Sequence, residues 1–155
     1  MKTLNKFKDS RGFTLVELLI AVCVMAIAFA GLATMQIACI NGNSIASNVT
    51  TGMTLAQDKM EELKSLNPDH PDLADSNPGN NGNLRQSIGS DDIDHREDHV
   101  NIKGESNQTA PDSNYGAYTR IWNVADDTPF SGRKTIVVIV TWGSGPKSIA
   151  VSTVI

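Results

Sequence analysis

The first feature of the chain is a long apolar stretch near its amino terminus. No charged side chain occurs between Leu18 and Gln57, and residues 13–40 are almost entirely apolar. As a helix that rises about 1.5 Å per residue, residues 13–40 are long enough to cross a hydrocarbon core of about 30 Å with some tilt. The pattern therefore predicts a transmembrane helix.

The charges that flank this segment predict its orientation. Residues 41–57 carry no charge, whereas several basic side chains and one acid precede the apolar stretch: Lys2, Lys6, Lys8 and Arg11, with Asp9. Positive charge favours the cytoplasmic side, so we expect a single pass with the amino terminus in the cytoplasm and the rest of the chain outside, across the membrane. The apolar stretch is not followed by a convincing small-residue cleavage site, and we expect it to be retained.

The helix is predicted to continue as an amphipathic segment over residues 41–66. Apolar residues recur there at helical spacing: Met53, Ala56, Met60, Leu63 and, less regularly, Leu66. This stripe suits packing against a sheet. Pro68 and Pro71 predict the end of the helix. Four weak helix formers favour a bend or a local loss of helix before the stripe: Asn41, Gly42, Asn43 and Gly52.

The remainder of the chain, residues 67–155, predicts a small globular head. Residues 67–114 are rich in turn-forming residues, with at most a short strand around His99 to Lys103, and residues 115–155 contain three alternating segments. These are Tyr115 to Val124, Thr135 to Trp142 and Lys147 to Ile155. The fold class expected is α+β, with one long helix packed on an antiparallel sheet of three or four strands.

Composition narrows the functions that this architecture could have. From Phe13 onward the chain has nine Lys and Arg against sixteen Asp and Glu, so we expect no nucleic-acid partner. Cys23 and Cys39 would lie about 24 Å apart on one helix, too far for a disulfide within the chain. We interpret them as packing residues, and the alternative is a disulfide between subunits through Cys39.

The sequence "DDIDHREDH", Asp91 to His99, is the densest cluster of candidate ligands. His95 and His99 could bind a transition metal if they lay on a helix, and the carboxylates could hold calcium in a loop. The cluster lacks the glycine and the ligand period of a calcium loop, so a solvated acidic loop is the favoured interpretation. No catalytic motif occurs elsewhere, and the sequence predicts no metal, no cofactor and no enzyme activity.

Glu17 is the one charge inside the apolar stretch. A carboxylate there costs a few kcal/mol unless it has a partner or is neutral. A cut between Gly12 and Phe13 would create an α-amino group one helical turn from Glu17, and this ammonium could pair with the carboxylate of its own or a neighbouring subunit.

The residues around Gly12 and Glu17 resemble a known processing signal. A basic leader that ends in Gly12, followed by Phe13-Thr14-Leu15-Val16-Glu17 and an apolar helix, resembles the type III signal shared by type IV pilins, minor pilins and type II secretion pseudopilins. The resemblance implies a type IV pilin-like fold, a leader of residues 1–12 that an inner-membrane prepilin peptidase removes after Gly12, and methylation of the new amino terminus on Phe13.

The resemblance also implies how the protein is used. The helix would anchor the subunit in inner-membrane lipid and later join a filament core, with Glu17 guiding docking. The implied partners are other minor and major pilins, contacted through the amino-terminal helix, and an inner-membrane assembly platform. The final location would be the pilus at the cell surface.

Two features indicate which type of protein within this superfamily the chain resembles. Major pilins usually have a proline where this chain reads residues 31–36, "GLATMQ", which favours a minor pilin or a pseudopilin. The strings "AFAGLATMQ", "TLAQDKMEELKSL" and "KTIVVIVTWGSGPKSIAVSTVI" resemble type IV pilus modification proteins of the PilV kind. We therefore favour a minor pilin. The alternatives are a minor pseudopilin of a type II secretion system and a membrane-anchored periplasmic enzyme or binding domain.

Overall fold

The part of the chain that the structure describes contains one long helix, one short 3-10 helix and four strands. The structure is a computed structural model, and it describes residues 13–78, 84–85, 93–106, 118–143 and 147–155. Helix α1 spans Leu15–Ser65 and is followed by a short 3-10 helix, Pro71–Leu73. The strands are β1 (His95–Val100), β2 (Tyr118–Asp126), β3 (Lys134–Trp142) and β4 (Ser148–Val154). The chain divides into an amino-terminal unit, Met1–Ser44, and a carboxyl-terminal unit, Ile45–Ile155.

In the amino-terminal unit, the described residues of α1 are all exposed. The helix is long and apolar enough to cross a membrane, and its most apolar window has no buried residue. The bounds of the membrane span, residues 13–40, stay a prediction.

Helix α1 is continuous through all four weak helix formers, so the expected local loss of helix is wrong. Each such residue costs only about 1 kcal/mol or less, which a cooperative helix of this length tolerates. Gly52 also has a packing role, because a Cβ there would lie 3.0 Å from Cζ3 of Trp142.

In the carboxyl-terminal unit, residues 45–65 of α1 pack on the sheet. The buried residues of the helix are Gly52, Leu55, Ala56, Lys59, Met60 and Leu63. The predicted stripe is therefore right for Ala56, Met60 and Leu63, but wrong for Met53, which is exposed. The helix ends at Ser65, shortly before Pro68, as predicted.

The sheet is an antiparallel meander with the order β1-β2-β3-β4. The predicted α+β fold class is confirmed. Alternation along β3 is also confirmed: Ile136, Val138, Val140 and Trp142 join the core under the helix. Val137 and Ile139 join a smaller cluster on the opposite face, against which Leu84 and Ile93 pack.

A fully buried amide helps to fix the cover of that opposite face. Asn123 donates from Nδ2 to the carbonyl of Leu84 over 3.0 Å, and its Oδ1 accepts the N–H of Asp94 over 3.1 Å. The side chain of Asp94 in turn accepts the N–H groups of Ser76 and Val124. Part of the predicted loop region is therefore tied to β2 by part-buried hydrogen bonds.

The first strand is displaced from its expected position. It spans His95–Val100 rather than the surroundings of His99 to Lys103, and Ile102 and Lys103 lie in a turn. The interpretation of Asp91 to His99 as a solvated loop is wrong for residues 95–99, which form this strand; Asp91 and Asp92 lie outside the described residues. Apolar alternation missed the strand because five of its six residues are polar or charged, and only Val100 at its end is an apolar core residue.

Candidate functional site

The amino-terminal end of α1 is closed by a reciprocal pair of hydrogen bonds. The hydroxyl of Thr14 accepts the N–H of Glu17 over 3.3 Å, and Oε2 of Glu17 accepts the N–H of Thr14 over 3.1 Å. The Thr14 hydroxyl also donates to Oε2 at 3.1 Å. A Ser or Thr with a Glu three residues later is the sequence signature of a capping box. The sequence contains this signature at Thr14 and Glu17, but the predictions from the sequence did not include a capping box.

This geometry defines where the carboxylate of Glu17 lies. In the described residues its hydrogen-bond partners belong to Thr14, and the position in the first turn of the helix also favours an acid through the helix dipole. Phe13 is 88% exposed at the start of the described chain. Gly12 and the rest of the predicted leader lie outside the described residues.

The helix after this cap presents a continuous apolar surface. Large apolar side chains are exposed on every side of it, including Leu15, Ile27, Phe29 and Ile40 at 63–82%. Apolar surface of this extent marks a membrane or protein contact in a stable protein. The amino-terminal unit therefore needs lipid or other helices around it.

Residues 7–33 match the family model of the prokaryotic N-terminal methylation motif. The chain carries a type IV pilin-like prepilin signal. Together with the fold, the motif points to a structural subunit, the precursor of a pilin-like or pseudopilin-like protein, rather than to an enzyme. It suggests processing by prepilin peptidase and assembly with other pilins, and the apolar helix is consistent with a single-pass inner-membrane anchor.

The motif match covers only residues 7–33 of the chain. No curated protein and no solved structure gave a significant match to the chain. The resemblance to pilus modification proteins of the PilV kind therefore stays a prediction from the sequence, as do the individual roles of Gly12, Phe13 and Glu17.

Replacing Thr14 with Val is expected to weaken the first turn of α1. The change removes the hydroxyl that accepts the Glu17 N–H, and loss of such a cap costs about 1 kcal/mol. The exchange rate of the Glu17 amide, measured by NMR in detergent micelles, should rise about fivefold. Thr14→Ser keeps the hydroxyl and should leave that rate within a factor of about two. An unchanged rate in the Val variant would contradict the capping role.

The histidines of the predicted ligand cluster do not converge. On an extended strand, two residues four apart are separated by about 13 Å, too far to share one ion. His95 stacks on Trp122 at 5.1 Å between ring centroids, and its Nε2 lies 2.9 Å from the carbonyl of Ala74. Among the described residues, no group of three or more His, Cys, Asp or Glu is placed to hold a metal.

The carboxylates of this segment also have separate partners. Arg96 donates from Nε to Asp98 over 2.7 Å, and this hydrogen bond lowers the pKa of the Asp98 carboxyl against the opposing effect of partial burial. The same hydrogen bond raises the pKa of Arg96. Glu97, which lies between them in sequence, points instead towards α1.

Glu97 is the centre of a charged cluster that sequence reasoning missed. Lys59, 3% exposed, donates to Oε1 of Glu97 over 2.9 Å, and Arg120, 5% exposed, donates from Nε to Oε2 over 2.7 Å and again from Nη2. Lys59 also lies 3.1 Å from Glu62 and 4.4 Å from the centroid of the Trp122 ring. Each cation is thus compensated although it lies almost wholly inside the core.

The cluster links three elements, α1, β1 and β2. Arg120 also approaches two backbone carbonyls at 3.4 Å, those of Leu55 in the helix and Gly104 in the turn after β1. A signal for it exists in the sequence, because Lys59 stands four residues from both Leu55 and Leu63 on the buried stripe. We therefore assign the cluster a structural role, in which it fixes the lateral position of the helix on the sheet.

Proposed function

We propose that the protein is a minor pilin, a structural subunit that is cut after Gly12, methylated on the amino group of Phe13 and assembled into a type IV pilus to initiate or modify it. The observation that carries the proposal is the methylation motif at residues 7–33, placed on an exposed apolar helix that begins with the Thr14–Glu17 capping box. In the prepilin, the amino terminus would face the cytoplasm and the carboxyl-terminal unit the periplasm.

The proposed role of Glu17 follows from its position. Cleavage after Gly12 would place an ammonium on Phe13, one helical turn from the carboxylate, where Thr14 now supplies the only described partners. In an apolar environment a carboxylate gains most from a full opposite charge. The ammonium of a neighbouring subunit could therefore draw this side chain into an intersubunit pair as the helices dock.

We propose the partners that such a subunit contacts one after another, from insertion in the membrane to assembly. They are inner-membrane lipid around α1, prepilin peptidase at the leader, an inner-membrane assembly platform, and other minor and major pilins along the helix. The acidic excess from Phe13 onward argues against nucleic acid as a further partner.

A minor pseudopilin would share the same signal and helix. The absence of proline in residues 31–36 and the resemblance of the flanking strings to pilus modification proteins support the minor pilin instead. The two roles separate by fractionation, because a minor pilin should be recovered in sheared surface pili. A pseudopilin should remain in the cell envelope with a secretion complex.

Mass spectrometry of the mature amino terminus tests the proposal. In a bacterium with an active prepilin peptidase, the purified protein should begin at a methylated Phe13. In a matched strain without the peptidase it should keep Met1. An intact Met1 in the first strain, or a cut beyond Ile40, would show that the protein is not a pilin-like subunit.

A further inference from the structure

The sheet has two edges, β1 and β4, and they differ in how well they are protected. An edge strand presents unpaired N–H and C=O groups that can pair with a strand of another chain. Proteins block unwanted pairing at such edges with charged side chains, bulges or a covering segment. The two edges of this sheet can be compared on these criteria.

The β1 edge carries all three protections. Its register with β2 is broken by an irregularity between Glu97 and Val100. Charged side chains occupy its centre at residues 96–98. A preceding segment also lies against its beginning, since the N–H of Ser76 donates to Asp94 over 2.9 Å and Ala74 contacts His95. In the described residues, this edge is therefore poorly suited to pairing with a further strand.

The β4 edge carries none of these protections in the part of the chain that the structure describes. Ser148–Val154 pairs with β3 without a break, from Thr141↔Ser148 to Thr135↔Val154. Residues 148–155, "SIAVSTVI", contain no charged residue and no proline. Three of the strand's seven residues are exposed: Ser148, Ser152 and Val154.

The hydrogen bonds at both ends of the hairpin show which groups of β4 point outward. Lys134 and Ile155 exchange backbone hydrogen bonds of 3.0 and 2.9 Å, and Trp142 donates to the carbonyl of Lys147 over 3.2 Å. Because antiparallel pairs alternate, odd-numbered residues of β4 bond to β3 and even-numbered residues face away. Among the described residues, no loop or turn hydrogen bond satisfies the outward N–H and C=O groups, which belong to Ser148, Ala150, Ser152 and Val154.

We propose that the outer edge of β4 accepts an extended, uncharged strand from a neighbouring pilin-like subunit, in antiparallel orientation, so that the sheet continues from one subunit into the next. This inference rests on the proposed function, which supplies such neighbours. The mode of binding is strand addition, in which main-chain hydrogen bonds provide the affinity.

Strand direction and charge identify the occupant. In a four-stranded antiparallel meander the first and last strands run in opposite directions, so a neighbour with the same topology and orientation presents its first strand antiparallel to β4. This arrangement leaves the amino-terminal helices of both subunits pointing the same way. Since β4 offers no charged side chain, a charged residue directly opposite would find no partner of opposite charge there, so an uncharged strand fits this edge better.

A second copy of this chain does not fit. Its own β1 edge is irregular and carries Arg96, Glu97 and Asp98 at its centre. Pairing β4 with β4 in antiparallel orientation would require a two-fold axis that reverses the direction of the helices. The partner is therefore a different subunit, whose first strand lacks these charges.

Substitutions at Ser152 test the proposal with matched controls. Ser152→Pro removes an N–H that points away from β3, and Ser152→Lys adds a charge at the edge, while Ser152→Val keeps the N–H and removes only the hydroxyl. Incorporation is measured as the amount in sheared pili relative to the membrane fraction, in cells that express all other pilins. The Pro and Lys variants should fall at least about tenfold, and the Val variant should match the original chain.

Two outcomes would overturn the inference. One is incorporation of both the Pro and Lys variants at the original level. The other is a fall in the Val variant equal to theirs. Tryptophan fluorescence of each purified variant shows whether the carboxyl-terminal unit is still folded. If the Pro variant is unfolded, the result with the Lys variant decides the test.

Photocross-linking of the intact protein provides a second, independent measurement. A benzoylphenylalanine at position 152 should cross-link to a subunit that carries the same methylation motif, within one extended segment, whereas the same probe at position 58 on the exposed face of α1 should not give that product. Cross-links to a second copy, or to a partner's helix alone, would contradict the proposed strand addition. If mature Phe13 is found but these results fail, the edge inference is wrong while the proposed function stands.

Discussion

Replacing Glu97 with Ala is expected to lower the free energy of unfolding of the carboxyl-terminal unit by about 3–5 kcal/mol. The carboxylate of Glu97 is the common partner of Lys59 and Arg120, and both cations are at most 5% exposed. Without it, Arg120 keeps two carbonyl contacts at 3.4 Å, and Lys59 keeps the half-exposed Glu62 and the face of the Trp122 ring. A buried charge that has lost its partner keeps its desolvation cost, which makes the loss large.

Chemical denaturation of the protein in detergent measures this effect. Both tryptophans, Trp122 and Trp142, lie in the core of the carboxyl-terminal unit, so their fluorescence reports its unfolding. Asp98→Ala is a matched control on the adjacent residue, because Asp98 pairs with the exposed Arg96 and such pairs contribute about 1 kcal/mol or less. Equal losses in the two variants would show that the buried cluster does not stabilise the packing of helix on sheet.

The central part of the fold follows directly from the sequence. Alternation along β3 predicts which residues share a face, because successive side chains of a strand point to opposite sides of the sheet. Which of the two apolar faces meets the helix is visible only in the structure. Pro68 predicts the end of α1 because proline lacks the N–H that the helix requires. These features depend on local chemistry, which a single sequence contains.

The wrong predictions from the sequence have a different physical cause, which is the burial of polar and charged side chains. Lys59 is buried and Glu97 is half-buried because they compensate each other across 38 positions of sequence, and a search for apolar periodicity passes over both of them. The same error hid β1, whose inward side chains include His95 and Glu97. The placement of a charge inside a core depends on its partner, and that partner is known only once the chain is folded.

The amino-terminal methylation motif was more predictable than the head, although the capping box within it was missed. Its elements lie close together in sequence, from the leader to Glu17, so the motif and the capping box both fall within one short segment. The exchange of partners proposed for Glu17 involves a second subunit, and its outcome depends on whether the carboxylate acts through its charge or as a helix cap.

Replacing Glu17 with Ala is therefore expected to abolish assembly while cleavage after Gly12 and methylation of Phe13 continue. The variant loses the only negative charge within the apolar stretch, and with it the proposed pairing with an ammonium. The protein should accumulate in the membrane at the original level, with at least about a tenfold fall in sheared pili. Mass spectrometry of the amino terminus confirms that processing is intact.

Two further variants separate charge from capping. Glu17→Gln retains an oxygen that can accept the N–H of Thr14 but removes the charge, so it should fail to assemble as Ala does. Thr14→Val removes the hydroxyl and keeps the charge. Its assembly should stay within a factor of about two to three of the original. The reason is that loss of the cap frays only the first helical turn, at a cost of about 1 kcal/mol or less. Normal assembly of the Gln variant, with failure of the Val variant, would mean that Glu17 serves the subunit by ordering its first helical turn and that docking uses another contact.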